Sequence, residues 1–231
     1  MKKDNVIQRI GLVGATVAAL FLLAGPAHAG IADTKHNLSS SGTGTIKSTD
    51  NPEICIFCHT PHDAIKNDNI PLWNHTLSSV ATYGVYTSPT FNATDAAEVG
   101  GVTAETAAVT NLCLSCHDGT VAINSLNNAS NINPTTTMQG TDAGMLPAGN
   151  SNLGSHLTND HPINFTYDAA LVTADGGLHA PGTLTNARLF NGKVQCASCH
   201  DPHTSDTSGG KGAFLRASMN GSALCLECHN K

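Results

Sequence analysis

The chain is 231 residues long, with 17 acidic against 11 basic side chains and a net charge of −6. That sign argues against nucleic acid and against an anionic membrane surface as partners. Aromatics make up 4% of the chain while Gly, Ser, Thr and Asn abound, so either something else supplies buried apolar surface or much of the chain is disordered.

In chain order, the first element is an export signal. "MKKDNVIQR" is basic and polar, "IGLVGATVAALFLLAG" is one apolar run, and "PAHAG" supplies small residues for cleavage after Ala29. The run occupies residues 10–25, shorter than the roughly 20 apolar residues that span a bilayer. A retained membrane anchor is the competing reading. No cysteine follows the cleavage site, which argues against a lipid anchor. The mature chain is expected to start near Gly30 and to be exported, with no membrane span once 1–29 is removed. Removing three basic residues and one acidic residue leaves 8 against 16, a net charge of −8.

Residues 30–50 read as an N-terminal arm and linker. "TKHNLSS" carries His36, and "NLSSSGTGTIKSTD" (37–50) has the composition of a flexible linker. Next comes "ICIFCHTPH" (54–62), with two cysteines and two histidines, and then "PLWNH", with His75 near the single tryptophan, Trp73. "TAETAAVTNLCLSCH" (103–117) is the best helix candidate, Ala and Glu leading into a second Cys-His string. From Gly119 to Asn191 periodicity is weak, so a long irregular segment is expected to wrap the rest. Within it "NDHPINF" sets His161 before a proline, in the extended conformation that suits a ligand presented from a loop. "CASCHDPH" follows, and the short helix candidate "GSALCLECHNK" ends the chain.

All eight cysteines fall in four copies of one string: Cys55, Cys58, His59; Cys113, Cys116, His117; Cys196, Cys199, His200; and Cys225, Cys228, His229. C-x-x-C-H is the attachment string of haem c. Two thiols on one helical turn can each form a thioether to the same porphyrin edge, and the adjacent histidine reaches the iron from its proximal face. Export permits disulfides, and zinc sites use paired C-x-x-C units. Neither needs a histidine after every second cysteine. Four covalent haem c groups also answer the core problem, because each is large, flat and mostly apolar.

Seven histidines remain for the opposite faces: His36, His62, His75, His156, His161, His179 and His203. Met138, Met145 and Met219 stand in no haem-like setting, so bis-histidine ligation is available to all four irons, at lower potentials than Met/His pairing. His62 and His203 each follow a proximal histidine by three positions, beyond Pro61 and Pro202, which fix φ. Such a histidine cannot reach the far face of its own iron and must serve another haem. The repeated phrasing divides the tetrahaem domain, 51–231, into two dihaem units, about 51–120 and 190–231. In that arrangement His62 serves the haem at Cys113 and Cys116, and His203 the haem at Cys225 and Cys228. His161, His36 and His75 are the candidates for the other irons. His156 and His179, among Gly and Asn, are expected to be solvated. The expected fold is mostly irregular coil with a few short α-helices and little β, a multihaem cytochrome c folded around four covalent haems.

The phrases "KHNLSS", "CIFCHTPH", "PLWNH", "CLSCHDGTVAI", "DHPINF", "VQCASCHDPH" and "FLRASMNGSALCLECHNK" resemble secreted tetrahaem c-type cytochromes with doubled CxxCH motifs. Filament-forming extracellular cytochromes of metal-reducing bacteria belong to that group. The resemblance runs from about residue 35 to the C-terminus. It implies a homopolymer with a continuous chain of haems, in which one iron is ligated by a histidine of the adjacent subunit. His36 is the candidate for that crossing ligand, with His75 as the alternative. An extracellular or cell-surface location, donor cytochromes and an external acceptor such as metal oxide or an electrode complete the implied picture. Electron transfer, without enzymatic chemistry, is the expected role. A soluble periplasmic shuttle is the first alternative. An oxyanion reductase is the second, but it needs an open iron and cationic groups, and the mature chain has only Arg188 and Arg216.

Overall fold

The computed structural model describes residues 30–65, 72–95, 108–129 and 131–230. The expected signal sequence, 1–29, and the expected helical residues 103–107 lie outside them. Among the described residues the chain is mostly coil, as its composition implied, with four short α-helices: α1 (Ala108–His117), α2 (Ala169–Asp175), α3 (Cys196–Cys199) and α4 (Ala223–Leu226). Short 3-10 turns and three ladders of two residues each accompany them. β1 (Lys47–Ser48) runs antiparallel to β3 (Met138–Gln139), and β2 (Gly84–Val85) runs parallel to β4 (His156–Leu157). β5 (Phe165–Thr166) runs antiparallel to β6 (Lys193–Val194). No helix among the described residues is long and apolar enough to cross a membrane.

Apolar burial is divided into small clusters. Tyr83, Leu114 and Leu157 form one; Phe165, Tyr167, Leu171 and Val194 form another; Leu112 packs with Trp73 and Leu77 in a third. Between them the interior is polar. Asn37, Ser39, Ser48, Asn51 and Asn74 are all buried. Their side chains take the backbone hydrogen bonds that helix or sheet would otherwise supply.

The segment 37–50 shows the consequence. Its Ser- and Gly-rich composition reads as a flexible linker, yet Ser39 Oγ donates to Asn37 Oδ1 at 2.7 Å and Asn51 N donates to Ser48 Oγ at 2.8 Å. Lys47 and Ser48 pair with Gln139 and Met138. The expected linker is therefore a built element, because Asx and Ser turns order a chain that composition alone marks as loose.

Asn74 joins two distant segments. Its Nδ2 donates to Ile56 O at 2.6 Å and to Asn128 O at 3.0 Å, while its Oδ1 accepts from Asn128 N at 2.7 Å. It ties the first Cys-His string to the loop at 127–128. Asn74→Ala leaves those buried groups unpaired and is expected to cost about 1–3 kcal/mol, read as a lowered Tm of the haem-loaded protein.

The helix α2 was not legible as periodicity, but its ends are written in the sequence. Asp168 Oδ1 accepts from Leu171 N at 2.9 Å, and Gly176 closes the other end at φ 71°.

Candidate haem-binding site

Each Cys-His string closes as one helical turn. His59 N donates to Cys55 O at 2.8 Å, His200 N to Cys196 O at 3.1 Å and His229 N to Cys225 O at 2.9 Å. The second string lies in the last turn of α1. That geometry sets both thiols of a string on one side, with the histidine immediately beyond.

The strings are built onto one another. Thr110 N donates to Gln195 Oε1 at 3.0 Å, and Cys196 N donates to Thr110 Oγ1 at 3.4 Å, so α1 and α3 begin side by side. Cys113 and Cys196 consequently share a thiol hydrogen bond. Cys58 lies close enough to Cys116 to act on its ionisation, and Cys225 and Cys228 act likewise on Cys199. The thiol pairs thus neighbour one another in chain order, the first to the second, the second to the third, the third to the fourth. Burial, with the Cys55 thiol beside it, pushes Cys58 up to about 11, and burial beside Cys58 pushes Cys116 up to about 12. Cys113 is raised by its bond to Cys196 and by burial. Cys196, the partner in that bond, is lowered by it. Among the described residues no group of three or more His, Cys, Asp or Glu could hold a metal ion.

The histidines are arranged in opposed pairs. The ring of His36 lies 6.0 Å from that of His117, His203 lies 6.0 Å from His59, and His161 lies 6.3 Å from His229, centre to centre. An imidazole–metal bond is about 2.0 Å, as for zinc, and a ring with sides of about 1.33 Å has its centre about 1.1 Å from each nitrogen. Two imidazoles sharing one metal atom therefore have centres about 6 Å apart, and these three pairs have that separation. The outward nitrogens are also engaged: His117 Nδ1 lies 2.7 Å from Ser151 O, and His161 Nδ1 lies 2.8 Å from Pro162 O. A carbonyl there fixes the tautomer that leaves Nε2 for iron. Beside His59, at 5.9 Å, stands the ring of Trp73, whose buried Nε1 has no protein acceptor. A donor orphaned in this way suits a group that carries its own carboxylates. The donor set, the ring separations and the orphaned indole N–H together fit haem c.

The pairings differ from those read off the repeat. The ring facing His117 belongs to His36, not to His62, and the ring facing His229 belongs to His161, not to His203. His203 instead faces His59, across the boundary between the two units. His36, the expected crossing ligand, meets a histidine of its own chain. It also stacks on Phe214 at 4.4 Å, and burial with the neighbouring His117 lowers its pKa to about 4, leaving a neutral imidazole. The repeat orders the strings in sequence, whereas the arm at 30–37 folds back: Gly30 N donates to His203 O at 2.8 Å.

His75 is also placed otherwise than expected. It is fully buried, with Nδ1 2.9 Å from Thr76 O and Nε2 3.0 Å from Ala122 O. Burial lowers its pKa, so the neutral ring donates to only one of these carbonyls, and its Nε2 also lies 3.6 Å from Cys116 Sγ, beside the second string. His62 is exposed, its backbone held by Thr60. His156 is exposed, as expected, and His179 is half-buried with its backbone N–H on Cys228 O. Among the described residues no histidine ring opposes His200 at a comparable distance.

Sequence reading missed several side chains around this row. Tyr83 Oη donates to Asp118 Oδ2 at 2.5 Å, next to His117, and burial with that bond raises the phenol. Asp201 and Arg216 form an ion pair at 3.0 Å between the third string and the chain that follows it. Nothing in spacing announces a pair 15 residues apart.

Two comparisons bear on this geometry. No curated protein matches the chain. The model of the doubled CXXCH motif family matches residues 189–231, which hold the third and fourth strings. That match supports a multihaem c-type cytochrome, with haem c bound covalently at CXXCH strings and electron transfer as its use.

Proposed function

We propose that the chain is an electron conduit built on four haem c groups, closed by histidine on both faces and continued from one copy to the next. The opposed histidine rings carry this reading. His59 with His203, His117 with His36, and His229 with His161 are taken as three axial pairs within one chain. His200 then needs its second ligand from elsewhere. The doubled motif says which residue fits: His203, the second histidine of one unit, faces the first proximal histidine of the other, and His62 holds the same place in its own unit. His62, exposed and outside the three pairs, is the candidate crossing ligand to His200 of a neighbouring copy.

Haem c supplies a one-electron iron couple, which needs no bond to break. The protein residues hold each ring, fix its tautomer and set the order of the four strings. Arg216 donates to Asp201 Oδ2 and, through Nε, to Ala197 O at 2.8 Å, so it is engaged in structure and not arrayed as an anion clamp. That favours a conduit over an oxyanion reductase.

The resemblance of those phrases to the extracellular filament-forming cytochrome OmcE favours a secreted polymer. It would take electrons from donor cytochromes and pass them to an external acceptor such as metal oxide. The excess of acid over base in the chain suits a mineral or cationic surface better than a nucleic acid. Mass analysis of exported protein is expected to give four haem adducts, with electron microscopy showing filaments and spectra showing only low-spin iron. Fewer adducts, or a high-spin haem in the native polymer, would sink the reading. Native material consisting of monomers only would favour the periplasmic shuttle.

A further inference from the structure

Around the two units the surroundings of the second histidine differ, and the difference is chemical. In the first unit, "CHTPH", the residue two positions before His62 is Thr60, whose hydroxyl donates to His62 O at 2.9 Å and accepts from Asn128 Nδ2 at 3.1 Å. In the second, "CHDPH", the corresponding residue is Asp201. Its Oδ1 accepts from His203 N at 3.1 Å and lies 3.5 Å from His203 Nδ1. Its Oδ2 accepts from Arg216 Nη1 at 3.0 Å.

The carboxylate is not a loose surface group. Arg216 is 10% exposed and is itself anchored by Nε on Ala197 O at 2.8 Å and by its backbone N on Cys199 O at 2.9 Å. Asp201 N donates to Phe214 O at 2.7 Å, which fixes the other side of the turn. The Nδ1 of His203 thus faces a carboxylate, whereas those of His117 and His161 face backbone carbonyls.

We propose that Asp201, steered by Arg216, is a positioning residue that lowers the reduction potential of the haem held between His59 and His203. This rests on the axial pairing proposed above. A carboxylate drawing on Nδ1–H makes the imidazole a stronger donor through Nε2 and adds a negative charge near the iron. Both effects favour the oxidised iron, which carries one more positive charge than the reduced one. The guanidinium partly offsets that charge, so the Asp201–Arg216 pair sets the potential between two limits. The haem equivalent to it by repeat, at His200, has Thr60 in this place if His62 serves it. The first and third haems of the row then differ in potential although their strings are alike.

The test is a redox titration of the haem-loaded protein followed by electron paramagnetic resonance. The ring planes of His59 and His203 lie 16° apart, while those of the other two pairs lie 68° and 69° apart. Near-parallel axial rings split the iron orbitals more than crossed ones, so this haem has its own signal. His203→Ala assigns it by abolishing it. In Asp201→Asn, and in Asp201→Thr with the first unit's residue, the reduced-to-oxidised ratio at fixed potential is expected to rise up to about tenfold, which is 59 mV for one electron. Arg216→Gln moves it in the opposite direction. A signal that His203→Ala removes but that both Asp201 variants leave within about twofold overturns the proposal. If His203→Ala removes no signal, the axial pairing itself has failed.

Discussion

A chain with all eight cysteines replaced by alanine, exported and purified without haem, is expected to lose its compact shape. About 200 folded residues have a radius of gyration near 17 Å, and the same chain unfolded approaches 48 Å. Solution scattering reads the difference directly. The expectation follows from what the fold lacks. Among the described residues its apolar clusters hold three, four and one buried side chains and do not merge into one core. Two of its four helices are a single turn, too short to persist alone. The buried amide and hydroxyl networks exchange bonds with water for bonds with protein, at small net gain apiece. The haem faces are the apolar surface that remains to be counted. Wild-type chain exported from cells unable to attach haem is the second form of the same experiment. A radius that stayed near 17 Å in both would show that the polypeptide folds on its own, and the cofactor-built interior would be wrong.

The four strings, their order and the scarcity of regular structure were legible because haem attachment demands fixed residue types at fixed spacing. Partnership between histidines was not, because it depends on where the arm and the long loop return. Gly30 docking on His203 O brings His36 to His117, and no local pattern encodes a contact across 81 positions. His161 was singled out for its proline, yet the ring it faces, that of His229, could not be read from that. His75 shows the same limit. A histidine in a chain short of large side chains reads as a ligand, and here it is buried against Ala122 O and Cys116 Sγ, contacts that no spacing announces. The Ser- and Asn-rich arm failed for a related reason: composition records average flexibility, while the fold depends on which side chain meets which backbone group.

Two single replacements separate ligands that act within a copy from one that acts between copies. In His36→Ala the iron at His117 loses its partner in every molecule, polymerised or not. One haem in four is expected to turn high-spin and bind carbon monoxide, with filament length unchanged. In His62→Ala the chain's own three pairs remain intact and only the junction is lost. Filaments are expected to disappear, leaving monomers whose one open iron is that at His200. The size of the second effect follows from avidity: each junction rests on a metal–ligand bond, and without it only the surrounding protein contact holds successive copies. Adding free imidazole to the monomers should return the spectrum to low-spin without restoring filaments, since it fills the iron but joins nothing. Filaments formed normally by His62→Ala, or lost in His36→Ala, would exchange the two roles and return the crossing ligand to the N-terminal arm.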